Sequence, residues 1–177
     1  MSKTRSLFER VVDRITRRLS RHLQPYWEDS LLRQHHVYGD PSMLELAKTA
    51  NVNNGLFNVA SGTIKIEDYV FFGHNVSVIT GTHDYHKFDL ERQQTIPRSG
   101  RDIVVKRGAW IASNVTILGP CQIGEHAVVA AGSLVIENVQ PYSIVAGVPA
   151  RKISEINRPE LPEATSSDQI EGRAEIQ

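Results

Sequence analysis

The stretch that decides the fold is residues 105–135, which read VKRGAW IASNVT ILGPCQ IGEHAV VAAGSL V in blocks of six. Every block begins with a β-branched aliphatic residue, and the fifth position of every complete block is small. The first positions are Val105, Ile111, Ile117, Ile123, Val129 and Val135. The fifth positions are Ala109, Val115, Cys121, Ala127 and Ser133. An earlier run, Ile66, Phe72 and Val78, keeps the same step.

A period of six matches neither the 3.6-residue period of a helix nor the alternation of a simple strand. It is typical of short strands separated by a sharp corner every six residues, with one aliphatic side chain pointing inward at each step. Three such strands close a triangular coil, and the coils stack into a prism. The alternative is a β-sandwich with chance spacing, and six aliphatic residues in register argue against it.

The whole chain divides into three parts, and the repeat belongs to the second of them. Residues 1–50 form a predicted helical extension, residues 51–156 a β-helix interrupted by a loop at 80–102, and residues 157–177 a flexible tail rich in proline and carboxylates. Residues 1–23 contain seven basic and two acidic side chains, a balance of +5. Apolar residues recur there at helical spacing, which indicates one apolar stripe. They are Leu7, Phe8, Val11, Val12, Ile15, Leu19 and Leu23.

The spacing predicts that this first helix ends before Pro25, and a second helical segment is predicted over residues 29–36. The stripe has two interpretations. It can pack on the β-helix or on a neighbouring subunit, or it can lie on an anionic membrane surface as a peripheral contact.

Composition narrows the class of protein. The 177 residues have a formal net charge of zero, which does not favour nucleic-acid binding. The lone Cys121 cannot form an intrachain disulfide. No stretch is apolar enough to span a membrane, and the basic N-terminus lacks the apolar region of a signal peptide. We therefore expect a cytoplasmic protein, with a position at the inner membrane surface left open by the first helix.

The interruption of the repeat contains the best catalytic candidate. It begins TGTHDYH at residue 80 and places His83, Asp84, Tyr85 and His86 in a segment that interrupts a solenoid. Such insertions are usually functional or disordered. A neutral imidazole can take a proton from a hydroxyl and return it to a leaving group, so His83 is a candidate general base. Either Asp84 or Asp102 could orient its ring.

Together, the repeat, the loop histidine and the segment 146–151 (AGVPAR) resemble the hexapeptide-repeat acyltransferases, in particular the maltose, galactoside and xenobiotic O-acetyltransferases. The resemblance implies a left-handed parallel β-helix with a protruding loop. It also implies a homotrimer with active sites between subunits, acetyl-CoA as co-substrate, no metal, and direct transfer within a ternary complex. The acceptor implied is a hydroxyl of a sugar or glycan.

The same resemblance assigns residues. His83 matches the catalytic histidine, and Asn58, Asp84, Tyr85 and Trp110 are the expected acceptor-binding residues. Residues 110–113 (WIAS) and 130–133 (AAGS) match stretches that line the CoA thioester and pantetheine. The expected cofactor-binding residues are Ser113, Ala131, Gly132, Arg151 and Lys152. One departure is Glu137, where the family often has a lysine.

Several alternatives share this fold. An N-acyl or serine-type acyltransferase would differ only in the acceptor. A zinc hydratase like the γ-carbonic anhydrases needs three histidine ligands, and His126 stands alone on its coil. A non-catalytic scaffold would need neither the loop histidine nor the AGVPAR segment. The sequence leaves the acceptor and the pathway open.

Overall fold

The computed structural model describes residues 7–158. Most of these residues form short strands, preceded by one long helix and interrupted by one short helix. The elements are α1 (Leu7–Arg33), β1 (His36–Tyr38), a 3-10 turn (Pro41–Met43), β2 (Leu44–Leu46), β3 (Leu56–Asn58), β4 (Ile64–Ile66), β5 (Phe71–Phe72), β6 (Ser77–Ile79), α2 (Asp89–Gln94), β7 (Ile103–Val105), β8 (Trp110–Ile111), β9 (Thr116–Leu118), β10 (Cys121–Ile123), β11 (Val128–Val129), β12 (Leu134–Val135), β13 (Ser143–Ala146) and β14 (Arg151–Glu155).

The strands form three sheets that the chain visits in turn. Sheet A has the order β1-β3-β6-β9-β12, sheet B the order β2-β4-β7-β10, and sheet C the order β5-β8-β11-β13-β14. All neighbours pair in parallel except β13 and β14, which are antiparallel. Each coil runs from sheet B to sheet C to sheet A, as in β4, β5 and β6. This architecture is a parallel β-helix, as the period of six predicts.

The core lies where the repeat places it. All six first-position aliphatics of residues 105–135 are at most 1% exposed, and the fifth-position residues are buried too. Burying each side chain of this size stabilises the fold by about 1.5–3 kcal/mol. Parallel register stacks equivalent positions of successive coils, so Ile66 pairs with Val105 and Val105 with Ile123. The inward position is therefore the same in every coil.

The β-helix begins earlier than the sequence indicates. Strand β1 pairs with β3, and β2 pairs with β4, so both extend the sheets within the segment 1–50 assigned to the helical extension. The period of six does not reveal this coil, because a 3-10 turn at Pro41–Met43 lies between its two strands. The predicted tail, residues 157–177, lies outside the described residues from residue 159 onward.

The two predicted N-terminal helices are one. Helix α1 runs from Leu7 to Arg33 with Pro25 inside it, and His36 begins a strand instead of ending a second helix. An internal proline removes one backbone hydrogen bond, at a cost of about 3 kcal/mol. Beyond Pro25, Arg33 forms an ion pair with Asp29 at 3.1 Å. Ser30 Oγ also donates to Gln34 Oε1 at 2.9 Å, and both contacts support the last turns.

Residues 80–102 interrupt the coil between sheets A and B, because β6 ends at Ile79 and β7 starts at Ile103. The sequence predicts a structureless insertion, but the structure contains α2 within it. Asp89 and Glu91 in its first turn and Arg92 in its last complement the helix dipole, and Lys87 pairs with Glu91. Within residues 7–158, neither helix is long and apolar enough to cross a membrane.

Candidate active site

His83 is exposed on the loop, and its ring is held by a backbone group. Its Nδ1 lies 3.0 Å from the carbonyl oxygen of Arg92. A carbonyl oxygen only accepts hydrogen bonds, so a neutral His83 places its proton on Nδ1. The other ring nitrogen, Nε2, then has a free lone pair. This is the state that a general base needs.

The side chain of Arg92 fixes the loop around this contact. Its Nε donates to the carbonyl oxygen of Lys87 at 2.6 Å, and one terminal nitrogen donates to that of Tyr85 at 3.3 Å. Its guanidinium also lies over the ring of Phe88, 5.1 Å from the centroid. One arginine thus ties α2 to residues 85–88 through its side chain and to His83 through its carbonyl.

Three of the predicted acceptor-binding residues lie near His83. Asp84 and Tyr85 follow it in the sequence, and Asn58 lies against the start of the same loop. The Asn58 side chain rests against Gly81, where an added Cβ would lie 2.5 Å from Asn58 Oδ1. The carboxylate of Asp84 accepts a hydrogen bond from the backbone N–H of His86 at 3.1 Å. Tyr85 is exposed, with its ring centroid 4.3 Å from that of His86. The structure therefore gathers Asn58, Asp84 and Tyr85 about the base of the loop.

The carboxylates considered for orienting His83 have other partners. The backbone N–H of Thr63 donates to Asp102 Oδ1 at 2.6 Å, and the Thr63 hydroxyl donates to the same oxygen at 2.8 Å. These two bonds hold the pKa of Asp102 below its ordinary value. Asp102 thus secures the corner where the chain re-enters sheet B. The orienting group of His83 is a carbonyl and not a carboxylate.

The predicted cofactor-binding residues of the WIAS and AAGS stretches lie together at another corner, between sheets C and A. Ser113 follows β8, and Ala131 and Gly132 follow β11 one coil further on. The Gly132 N–H donates to the Ser113 carbonyl at 3.0 Å. Ala131 and Gly132 are exposed, and no heavy atom lies within 4 Å of a Cβ built on Gly132. We call Ser113, Ala131 and Gly132 the corner track.

His74 belongs to this corner as well. Its backbone N–H donates to Ser113 Oγ at 3.1 Å. Successive coils approach closely here, since a Cβ added to Gly73 would lie 2.5 Å from the Ser113 nitrogen. His74 is therefore separated from the His83 loop by the width of sheet A.

Arg151 and Lys152 are exposed at the start of β14, which pairs with β13 beyond the last coil. The guanidinium of Arg151 lies 3.7 Å from Glu137 Oε1, and Lys152 pairs with Glu155. Arg151, Lys152 and Glu137 border a cavity of about 130 Å³ at the C-terminal end of the prism. Both cations face solvent, so either can exchange its carboxylate for another anion at small cost.

Trp110 lies on sheet C, away from the loop. It is 45% exposed and stacks on Phe71 of the preceding coil, with ring centroids 5.7 Å apart. Both rings line a shallow cavity of about 290 Å³ together with His126 and Tyr142. In a triangular prism, sheet C is the face opposite the corner between sheets A and B. A single chain therefore does not bring Trp110 to His83.

Two other kinds of site were considered, a cysteine nucleophile and a metal centre. Cys121 is 6% exposed, and burial raises the pKa of its thiol to about 11. It is a core residue, as its place in the repeat predicts, and not a nucleophile. Among residues 7–158, no three His, Cys, Asp or Glu side chains form a group able to hold a metal ion.

Sequence reasoning missed Arg92. Arg92 contacts His83 through its main-chain carbonyl. Every residue has such a carbonyl, so the residue type gives no sign of this contact in the sequence. The contact also depends on α2, a helix of six residues too short to show a periodic apolar face.

The chain is similar in sequence and structure to several known transferases. Residues 102–137 match the family of bacterial transferase hexapeptide (six repeats). The chain is 31% identical to the galactoside O-acetyltransferase of Escherichia coli over 116 residues, which is 66% of this chain and 56% of the relative. It is 48% identical over 61 residues to a 2,3,4,5-tetrahydropyridine-2,6-dicarboxylate N-acetyltransferase of Brevibacillus brevis, covering 34% of this chain and 26% of the relative.

A solved structure extends the comparison to the fold. A galactoside acetyltransferase in complex with coenzyme A aligns with a TM-score of 0.50 and 25% identity, covering 70% of this chain and 64% of that one. The chain spans about half the length of the curated relatives it matches. The resemblance drawn from the repeat is confirmed: the chain contains the hexapeptide repeat of the bacterial transferases and is related in sequence and fold to the galactoside O-acetyltransferases.

Proposed function

We propose that the protein is an acetyl-CoA-dependent O-acetyltransferase that acts on a hydroxyl of a sugar or glycan, with His83 as general base. The observation that carries the proposal is the contact between His83 Nδ1 and the Arg92 carbonyl. It leaves Nε2 as a proton acceptor on an exposed loop. The proposal includes the left-handed coil and the ternary complex that the resemblance implies.

The chemistry requires one proton to move twice. A sugar hydroxyl is a weak nucleophile until its proton is removed, and Nε2 takes that proton as the hydroxyl oxygen attacks the thioester carbonyl. The tetrahedral intermediate bears a negative oxygen, for which the Ser113 N–H is the proposed donor by similarity. Collapse breaks the carbon–sulfur bond, and the imidazolium returns the proton to the CoA sulfur. The products are the acetyl ester and free CoA.

The cofactor is proposed to lie along the corner track. Small exposed residues there permit close approach of a pantetheine chain, and Arg151 lies at the end where the CoA phosphates would be held. The related galactoside acetyltransferase structure contains coenzyme A. Glu137 competes for Arg151, which predicts a weaker phosphate site than one with lysine at that position.

The active site is proposed to form between subunits of a homotrimer. The His83 loop leaves the corner between sheets A and B, whereas the corner track lies between sheets C and A. Three-fold symmetry would bring the loop of one subunit against the track and Trp110 of the next. The exposed Phe71 and Trp110 rings on sheet C suit such a contact.

An amine acceptor is the second candidate function. The 48% identity to an N-acetyltransferase over 61 residues favours it. The same base and the same corner track would serve an amine acceptor, since only the attacking atom changes from oxygen to nitrogen. The two functions therefore differ in the acceptor alone.

One experiment tests both. The purified full-length chain is incubated with acetyl-CoA and matched acceptors, hexosides and the corresponding amino sugars, and the released thiol is measured. We expect release with the hydroxyl acceptors. Release with amines only would support the second candidate. Failure to bind acetyl-CoA in calorimetry would overturn both.

A further inference from the structure

Helix α1 presents an apolar stripe that the remainder of residues 7–158 does not cover. At 100° per residue, five of its side chains fall within one arc. They are Phe8, Val11, Val12, Ile15 and Leu19, all between 43% and 76% exposed. The buried cluster of the β-helix contains none of them, and the partly buried residues packed against it begin at Val37. The interpretation that the stripe packs on this chain's own β-helix is therefore wrong.

Basic side chains border this stripe along one edge. Arg14, Arg18 and Arg21 are exposed and follow one another at helical spacing beside the apolar arc. Together with Ile15 and Leu19, they line one open groove of the helix surface. Apolar and basic groups thus share a single surface, while the carboxylate-bearing positions 9 and 13 fall outside that arc.

We propose that this face of α1 binds an anionic phospholipid surface. The apolar stripe would enter the boundary between headgroups and acyl chains, and the three arginines would contact lipid phosphates and carboxylates. This binding is independent of the acetyl transfer proposed above. It requires no membrane span, only a helix lying in the plane of the interface.

Charge favours lipid over a second copy of the chain. If two α1 helices associated antiparallel through the stripe, the arginines at its edge would approach their counterparts, and like charges at such a contact oppose association. A lipid surface of opposite sign removes this conflict. Charge complementarity between the three arginines and anionic headgroups therefore favours the membrane as the occupant.

The test uses the full-length protein and sedimentation with vesicles. One set of vesicles is phosphatidylcholine, and the other contains roughly one third phosphatidylserine, which supplies negative surface charge. We expect binding to the anionic vesicles at low salt and weaker binding at roughly 1 M salt, where the Debye length falls to about 3 Å. An unbound protein at low salt would overturn the proposal.

A pair of adjacent substitutions separates the stripe from the charge. Leu19→Glu and Ser20→Glu add the same charge one residue apart, but only Leu19 lies on the stripe. We expect Leu19→Glu to reduce the bound fraction at least about tenfold, because it removes apolar burial and places a carboxylate at the surface. Ser20→Glu should reduce binding by much less. Both variants should fold, since α1 lies outside the core.

Other outcomes would contradict the proposal. Equal loss in the two variants would mean that the stripe does not enter the lipid. If Leu19→Glu instead lowers the mass measured by light scattering and the unaltered protein ignores vesicles, the stripe contacts a second copy.

Discussion

His83 Nδ1 lies 3.0 Å from the carbonyl oxygen of Arg92, which joins two positions nine residues apart in the loop. The contact decides which ring nitrogen is free, so it gives an exposed histidine the orientation that the proposed general base needs. It also makes the orientation of His83 depend on α2, because Arg92 is the basic residue of its last turn. The loop that interrupts the repeat is thus an ordered support for one side chain.

Replacing His83 by Ala is expected to lower kcat by roughly 10² to 10⁴, the usual contribution of a general base. Binding of acetyl-CoA should change little, because the proposed role of the histidine is to take a proton from the acceptor hydroxyl. Thiol release and calorimetry measure the two quantities separately. His86→Ala is the matched control, since His86 lies on the same loop and contacts Tyr85. If His86→Ala has the larger effect, the base is misassigned.

Replacing Arg92 by Ala should also lower kcat, by up to about 10² because misplacing a catalytic group costs that much. The variant retains the carbonyl that meets His83 but loses the bonds to the carbonyls of Lys87 and Tyr85. We expect the KM for acetyl-CoA to stay constant. Arg98→Ala is the control, as an exposed arginine of the same loop. A fall in thermal stability with unchanged kcat would show that Arg92 only supports the loop's structure.

The sequence predicts the repeated coils of this molecule better than it predicts contacts that occur only once. Six aliphatic residues in register define the core from Val105 to Val135, because every coil repeats the same packing. The contact between His83 and Arg92 occurs once and through the main chain, so no pattern reveals it. Pro25 misleads in the opposite direction, because the helix continues past this local stop signal and its last turns have contacts of their own.

Arg151→Ala should weaken CoA binding by about tenfold or more, the value of a charge-assisted hydrogen bond. Binding of a short pantetheine thioester should be unaffected, because that ligand has no phosphates beyond its pantetheine. Glu137→Gln should act in the opposite direction, since it removes the carboxylate that lies 3.7 Å from the guanidinium. Calorimetry measures the affinity of each variant for CoA, for dephospho-CoA and for the pantetheine thioester. Equal loss for every ligand would place Arg151 in a structural role.

Mixing two inactive variants tests whether the site spans two subunits. His83→Ala removes the base, and Ala131→Trp covers the exposed corner track with a bulky ring; each should be inactive alone. If one subunit supplies His83 and its neighbour the track, co-refolded mixtures should regain activity at about a quarter of the sites, the random share in a cyclic assembly. If both halves belonged to one chain, no intact site would form. Capture of an untagged subunit on a tagged one after the same co-refolding shows that subunits exchange. Light scattering should report a trimer throughout, and a monomer at micromolar concentration would contradict the assembly.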